Sequence, residues 1–104
     1  MIISRNYTTE FNNSRMVWYE ESAEMDDSLG FKGHLQQVSA EVAESLGISY
    51  TKAFQIWCPV NTDVVEGDEL TSGSDTYNVK AIKTLNLGRN PHKQVFVEKV
   101  QQYG

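Results

Sequence analysis

What most constrains this chain is a series of short apolar alternations, each cut off by turn-forming residues. In residues 50–58, Ala53, Gln55 and Trp57 alternate with Phe54, Ile56 and Cys58. Pro59 ends that run because it has no N–H to give to a ladder. Tyr77, Val79, Ala81 and in part Ile82 alternate with Asn78 and Lys80, and Val95 and Val97 alternate with Phe96 and Glu98 in a last run ending near Val100. A period of two sends successive side chains to opposite faces of a strand. Residues 16–19 (Met-Val-Trp-Tyr) are rich in β-formers and read as the first strand, while residues 31–38 alternate only in part. Val64 and Val65 read as a brief strand or bridge, and residues 69–71 as another short strand. Turn signals separate them at 61–63, 66–68, 72–75 and 87–91, the Ser-Gly-Ser-Asp of 72–75 being a hairpin connection.

One helix interrupts the strands. Ser39 offers an oxygen to the free N–H groups of a helix start, and Glu41 suits the positive end of the helix dipole. Val42 and Leu46 share a face, and Gly47 can take the left-handed conformation that ends a helix. A helix over 39–46 is too short to stand alone and must pack on something. Residues 20–27, with five acids, read as a solvated loop. The expected organisation is a polar arm over 1–14, one domain over 15–100 and a frayed tail over 101–104. The fold class is mainly β, a small barrel or sandwich of about five to seven short strands with one short helix in a long inter-strand excursion, because so short a sheet must close or pair to hide its edges.

The 104 residues make one domain able to bury a core without disulfides or metals. The single Cys58 excludes an intrachain disulfide and a zinc site built from thiolates, which fits a reducing compartment. No apolar run reaches the ~20 residues that span a bilayer, and the polar first residues lack a signal peptide's apolar stretch. A net charge of −5 argues against a general nucleic-acid binder. The charge is unevenly placed: residues 1–52 hold four bases and eight acids, 53–75 five acids and no base, and 76–104 five bases and one acid. Such separation either prepares two faces for an interface or reflects a hairpin that collects its lysines.

Little points to catalysis. Cys58 lies in an apolar strand, where a thiol usually serves as a small hydrophobe, although pairing with His34 or His92 in space stays open. Asp63, Glu66, Asp68 and Glu69 lack the spacing of an EF-hand, and the Gly67-Asp68 step reads more simply as a turn closed by an Asx side chain. No glycine-rich phosphate loop occurs. Lys80, Lys83, Arg89, Lys93 and Lys99 form a basic set that reads as a lysine-protected strand edge, with contact to nucleic-acid phosphate as the rival. Tyr77 is the residue through which a small-barrel binding module would grip a peptide or single-stranded nucleic acid. No catalytic residue, cofactor or metal is expected.

The order of features from Lys32 onward resembles the head-closure family of tailed bacteriophages, also described as head–tail joining or stopper proteins. The resemblance rests on Leu35-Gln36-Gln37-Val38-Ser39-Ala40-Glu41, the strand Phe54-Gln55-Ile56-Trp57-Cys58-Pro59, and Gly67-Asp68 with Leu70. Tyr77-Asn78-Val79-Lys80 and Val95-Phe96-Val97-Glu98 complete it. The acidic block and the N-terminal arm lie outside the pattern. The resemblance implies a small β-barrel with a long excursion between its second and third strands, assembled as a ring below portal and adaptor in the virion after synthesis in the bacterial cytoplasm. It implies joining of head to tail and closure of the DNA exit channel, with DNA passing through without sequence-specific binding and no membrane involved. The assembly or channel excursion falls on Ser39, Glu41, Glu44, Leu46, Ile48, Tyr50 and Lys52. The charge separation, beside the resemblance, proposes a basic interface on Lys80, Lys83, Arg89 and Lys93. A tail terminator or minor capsid protein shares this size and barrel class.

Overall fold

The computed structural model describes residues 9–18, 23–85 and 91–100. Six strands form a closed antiparallel barrel: β1 (Thr9–Trp18), β2 (Ala23–Gln37), β3 (Ala53–Pro59), β4 (Glu69–Ser72), β5 (Asp75–Leu85) and β6 (His92–Val100). Their order around the barrel is β1-β2-β3-β6-β5-β4, and β4 closes it by pairing with β1 through residues 12–14. The helix α1 (Ala40–Leu46) and a single 3₁₀ turn, η1 (Tyr50–Lys52), fill the excursion between β2 and β3. Among the described residues no helix is long and apolar enough to cross a membrane.

The barrel interior follows the period-two pattern. Phe11, Ile56, Leu70, Tyr77, Val79, Val95 and Val97 pack with Cys58 and Val64 as one core. Tyr77 stands edge-on to both Phe11 and Phe54, at centroid separations of 6.1 and 5.9 Å. It is therefore a core residue, and the reading in which it grips a ligand on an open sheet face is corrected. Fully burying one such side chain contributes about 1.5–3 kcal/mol, and these residues come from every strand but β2, whose Phe31 and Leu35 pack against them.

A second, smaller core lies under α1. Val38, Ala43, Ile48 and Ala53 are buried together, with Val42, Leu46 and Phe96 against them. Ala53 and Phe96 belong to the outward-facing sets of β3 and β6, since their strand neighbours Phe54, Val95 and Val97 face the main core. The helix thus covers part of the barrel's outer wall. Its ends follow the local chemistry: Ser39 Oγ accepts from the Val42 N–H at 3.3 Å, and Gly47 has φ 73°. The Ile48 N–H reaches back to the Ala43 carbonyl (3.0 Å), a Schellman closure. A bond from the Val38 N–H to the Ala53 carbonyl (3.3 Å) pinches the base of the excursion.

Several expectations are corrected. β1 begins at Thr9, so residues 9–14 belong to the barrel wall and to the closing contact with β4, although they carry no sustained period. Residues 23–27, expected in an acidic loop, open β2, because pairing with β1 from Arg15 to Trp18 supplies the backbone bonds that composition does not announce. Residues 50–52 form η1 and the strand starts only at Ala53. Val64 and Val65 lie in a loop; Val64 plugs the core and Val65 is exposed. The hairpin between β4 and β5 closes as expected on Gly73 and Ser74, with Gly73 at φ 61°. The expected tail, Arg89 and residues 1–8 lie outside the described residues.

Candidate functional site

Three features of the surface bear on function: the helical excursion, the outer face of β3 and β6, and the basic β5–β6 hairpin. In the excursion, Glu41, Glu44 and Tyr50 are exposed, Tyr50 at 48%. Leu46 and Ile48 are turned into the second core, and Lys52 is half-buried. Ser39 is committed to capping. Of the seven excursion residues singled out from the sequence, Glu41, Glu44 and Tyr50 therefore offer side chains outward, while Ser39, Leu46 and Ile48 build the platform that presents them. The Tyr50 carbonyl accepts from Gln37 Nε2 at 3.5 Å, which ties η1 back to the end of β2.

Beside the helix, the outer wall carries an amide chain across three strands. Gln36 Oε1 accepts from both Gln55 Nε2 and Trp57 Nε1 at 3.1 Å, and Gln55 Oε1 accepts from Gln94 Nε2 at 2.6 Å. Trp57 stands edge-on to His92 at 4.9 Å. A shallow, mostly apolar depression of about 370 Å³ opens here, lined by His34, Trp57, Cys58, Pro59 and His92 among others. The topology thus brings both histidines and the cysteine to one place. Cys58 nonetheless packs into the main core and donates to the Lys93 carbonyl at 3.8 Å. Burial pushes its thiol pKa up, with Thr62 and Lys93 only partly opposing, so the nucleophilic thiolate is disfavoured.

The basic residues do gather on one hairpin, but most are engaged. Lys80 lies 3.3 Å from Glu98 and Lys99 lies 3.4 Å from Asp75. Lys93 Nζ donates to the Thr62 carbonyl at 2.8 Å and so ties β6 to the 60–68 loop. Lys83 is exposed near the end of β5. Arg89 lies outside the described residues.

The acidic 63–69 stretch is organised by a cluster the sequence reading missed. Asp68 is fully buried. Its carboxylate accepts from Arg15 Nε at 2.9 Å and Nη2 at 2.8 Å, from Asn13 Nδ2 at 3.2 Å, and from the Val65 N–H at 3.1 Å. The last bond is the Asx closure expected of the Gly67-Asp68 turn. Arg15 also reaches Asp63 Oδ1 at 3.0 Å, and the pairing with Asp68 first, then Asp63, raises its pKa against burial. Asn13 Nδ2 donates to the Asp63 carbonyl at 2.8 Å. With an arginine and two further donors on it, the Asp68 carboxylate is a structural anchor. Among the described residues no three His, Cys, Asp or Glu side chains gather as a metal-ligand set. A register shift between Asn13 and Arg15 re-aims β1 at this loop, and no short-range pattern announces it.

No protein-family model matches this sequence, and no curated protein matches it at a significant level.

Proposed function

We propose that this chain is a virion structural protein of a tailed bacteriophage or prophage, a head-closure or head–tail connector subunit. It acts by assembly, without chemistry. Copies form a ring below the portal and its adaptor, join head to tail, and close the DNA exit channel. The observation that carries the reading is the excursion between β2 and β3: it leaves a closed barrel, carries its own small core, and displays Glu41, Glu44 and Tyr50 outward. That arrangement matches the one implied by the resemblance in the sequence.

A module that is packed on the wall yet presents an exposed tyrosine and two carboxylates suits a contact between subunits or with the adaptor. Carboxylates on a lumen surface would repel phosphate and let DNA slide past without binding. The decisive experiment is electron microscopy of the protein combined with portal and adaptor. A ring of barrels at the portal vertex is the expected outcome. Absence of such a ring at saturating protein would overturn the reading.

The depression beside Trp57 supports a second reading, a small-barrel module that binds a peptide or single-stranded nucleic acid. A partly buried indole flanked by Pro59 and His92 offers a stacking surface. Salt-sensitive binding of single-stranded DNA by the isolated protein, lost in Trp57→Ala, would favour it over the connector.

A further inference from the structure

We infer that copies of this chain join edge to edge, the outer edge of β2 in one molecule pairing with the outer edge of β5 in the next. The inference deepens the ring reading, on which it rests for its biological setting, by naming the contact that would build the ring.

Closing a barrel normally removes its strand edges, but here closure uses only part of the long strands. β2 meets β3 only through residues 34–37. Over 23–33 it pairs with β1 on one side, and no described residue pairs with its other side. β5 meets β4 only through residues 75–78, and Val79 continues that edge by bonding Gly67 and Asp68. From Lys80 to Leu85 it pairs with β6 alone among the described residues. Among the described residues, 23–32 of β2 and 80–85 of β5 therefore have no ladder partner on one side, and backbone N–H and C=O groups on such a side can take an added strand. Six residues on β5 would support about 20 Å of intermolecular ladder.

Charge selects which edges meet. By sequence position, the first five residues of β2 include Glu24, Asp26 and Asp27, while the β5 segment has no acid and holds exposed Lys83 and Lys80, the latter already 3.3 Å from Glu98. Pairing β2 with β2, or β5 with β5, sets like charges opposite one another, which is unfavourable across strands. Pairing β2 with β5 sets acids against lysines. Such a contact is heterologous, joining two different patches, and so propagates into a ring or a filament instead of stopping at a dimer. The N- to C-terminal sign separation of the sequence then has a use: one edge segment is acidic in sequence and the other basic.

The test uses the full chain in sedimentation velocity and native mass spectrometry over a concentration series at low and high salt. One variant, Lys83→Glu with Thr84→Glu, makes both edges acidic. A second, Glu24→Lys with Asp26→Lys and Asp27→Lys, makes both basic. The wild type should associate in a salt-dependent way, and each variant should lose roughly tenfold or more in association constant. An equimolar mixture of the two should regain association, because acidic and basic edges again meet. Circular dichroism establishes that each variant is folded; should the triple variant fail to fold, the β5 variant with hydrogen exchange decides. Concentration-dependent protection of amides in 23–33 and 80–85 is then expected.

A wild type that stays monomeric up to about 1 mM at low salt, where screening is weakest, overturns the inference. So do variants that associate like the wild type. Amides of the β2 edge protected in the dilute monomer would place the chain's own residues there and overturn it as well. A ring at the portal vertex that ignores these edge charges would keep the connector reading and remove this contact. Association that follows the edge charges with no ring at the portal would do the reverse.

Discussion

The guanidinium of Arg15 grips the carboxylate of Asp68 with two parallel bonds, Nε to Oδ1 at 2.9 Å and Nη2 to Oδ2 at 2.8 Å, although 53 positions separate them. The Asp68 side chain is only 1% exposed and that of Arg15 24% exposed. The pair fastens the 60–68 loop to β1 close to where β1 and β4 close the barrel. Asn13, two residues before Arg15, adds a bond to each end of the same loop, at the Asp63 carbonyl and at Asp68.

Removing Arg15 strands a buried charge, and removing Asp68 strands a partly exposed guanidinium together with the Asn13 and Val65 donors. Arg15→Ala is expected to cost about 3–5 kcal/mol, because the Asp68 carboxylate stays in the core without its cation. Asp68→Ala should cost a similar amount, and the double variant should lose clearly less than the two singles together. Urea unfolding of the four proteins checks this; simple additivity would mean that the pair is not coupled.

Gly33 marks the point where β2 changes partner, facing Thr9 of β1 while the next residue, His34, faces Trp57 of β3. A methyl group there would lie 2.5 Å from Ile56 Cγ2 and 3.0 Å from the Trp57 carbonyl. Gly33→Ala is therefore expected to destabilise by about 1–3 kcal/mol through overpacking, read as a lower urea midpoint. An unchanged midpoint would show that the β2–β3 corner has slack.

Within the excursion, stability and assembly should separate. Ile48→Ala should cost about 2–5 kcal/mol, because it empties the core under α1, and Ser39→Ala about 1 kcal/mol through the lost cap. Tyr50→Ala should change stability by no more than about 0.5 kcal/mol, since nearly half of that side chain is open to solvent. If the connector reading is right, the same substitution weakens ring formation with portal and adaptor. Thermal melts together with electron microscopy resolve the two effects.

Stability should fall in alkali. Burial raises the pKa of the Cys58 thiol, and burial followed by the charge of Asp75 raises that of the Tyr77 phenol. Both groups hold their protons more tightly when folded. Their contribution is complete below the ordinary values and is lost as pH climbs through about 9 to 10 and beyond. Cys58→Ala should flatten the lower part of that alkaline slope in a pH series of urea midpoints. The same burial predicts slow reaction of Cys58 with thiol reagents at neutral pH until the protein is unfolded.

Local chemistry was readable in the residues themselves. Ser39 and Gly47 bound the helix, Pro59 ends β3, and Gly73-Ser74 turns the β4–β5 hairpin, because each of these depends on a few neighbouring residues. The alternations of β3 and β6 likewise identify which side chains enter the core. The acidic start of β2 was illegible because no apolar period marks it; only the partner strand β1 makes it a strand.

The sequence by itself determined a small, mainly β fold, barrel or sandwich, with one capped helix in an excursion; the closed barrel and the length of β2, 15 residues, came with the tertiary structure. Only the tertiary structure decided how faces and partners are assigned. In β5 the register slips between Val79 and Ala81, so that Val79 opposes Val97 but Ile82, not Ala81, opposes Val95 in the core. One extra residue, Lys80, reverses which side chains face inward, and a period of two cannot reveal where it falls. The bond between Arg15 and Asp68 is of the same kind. Periodicity and capping are set by residues within a few positions of each other, whereas register and long-range pairing are fixed only when the barrel closes and a buried carboxylate such as that of Asp68 must find its donors.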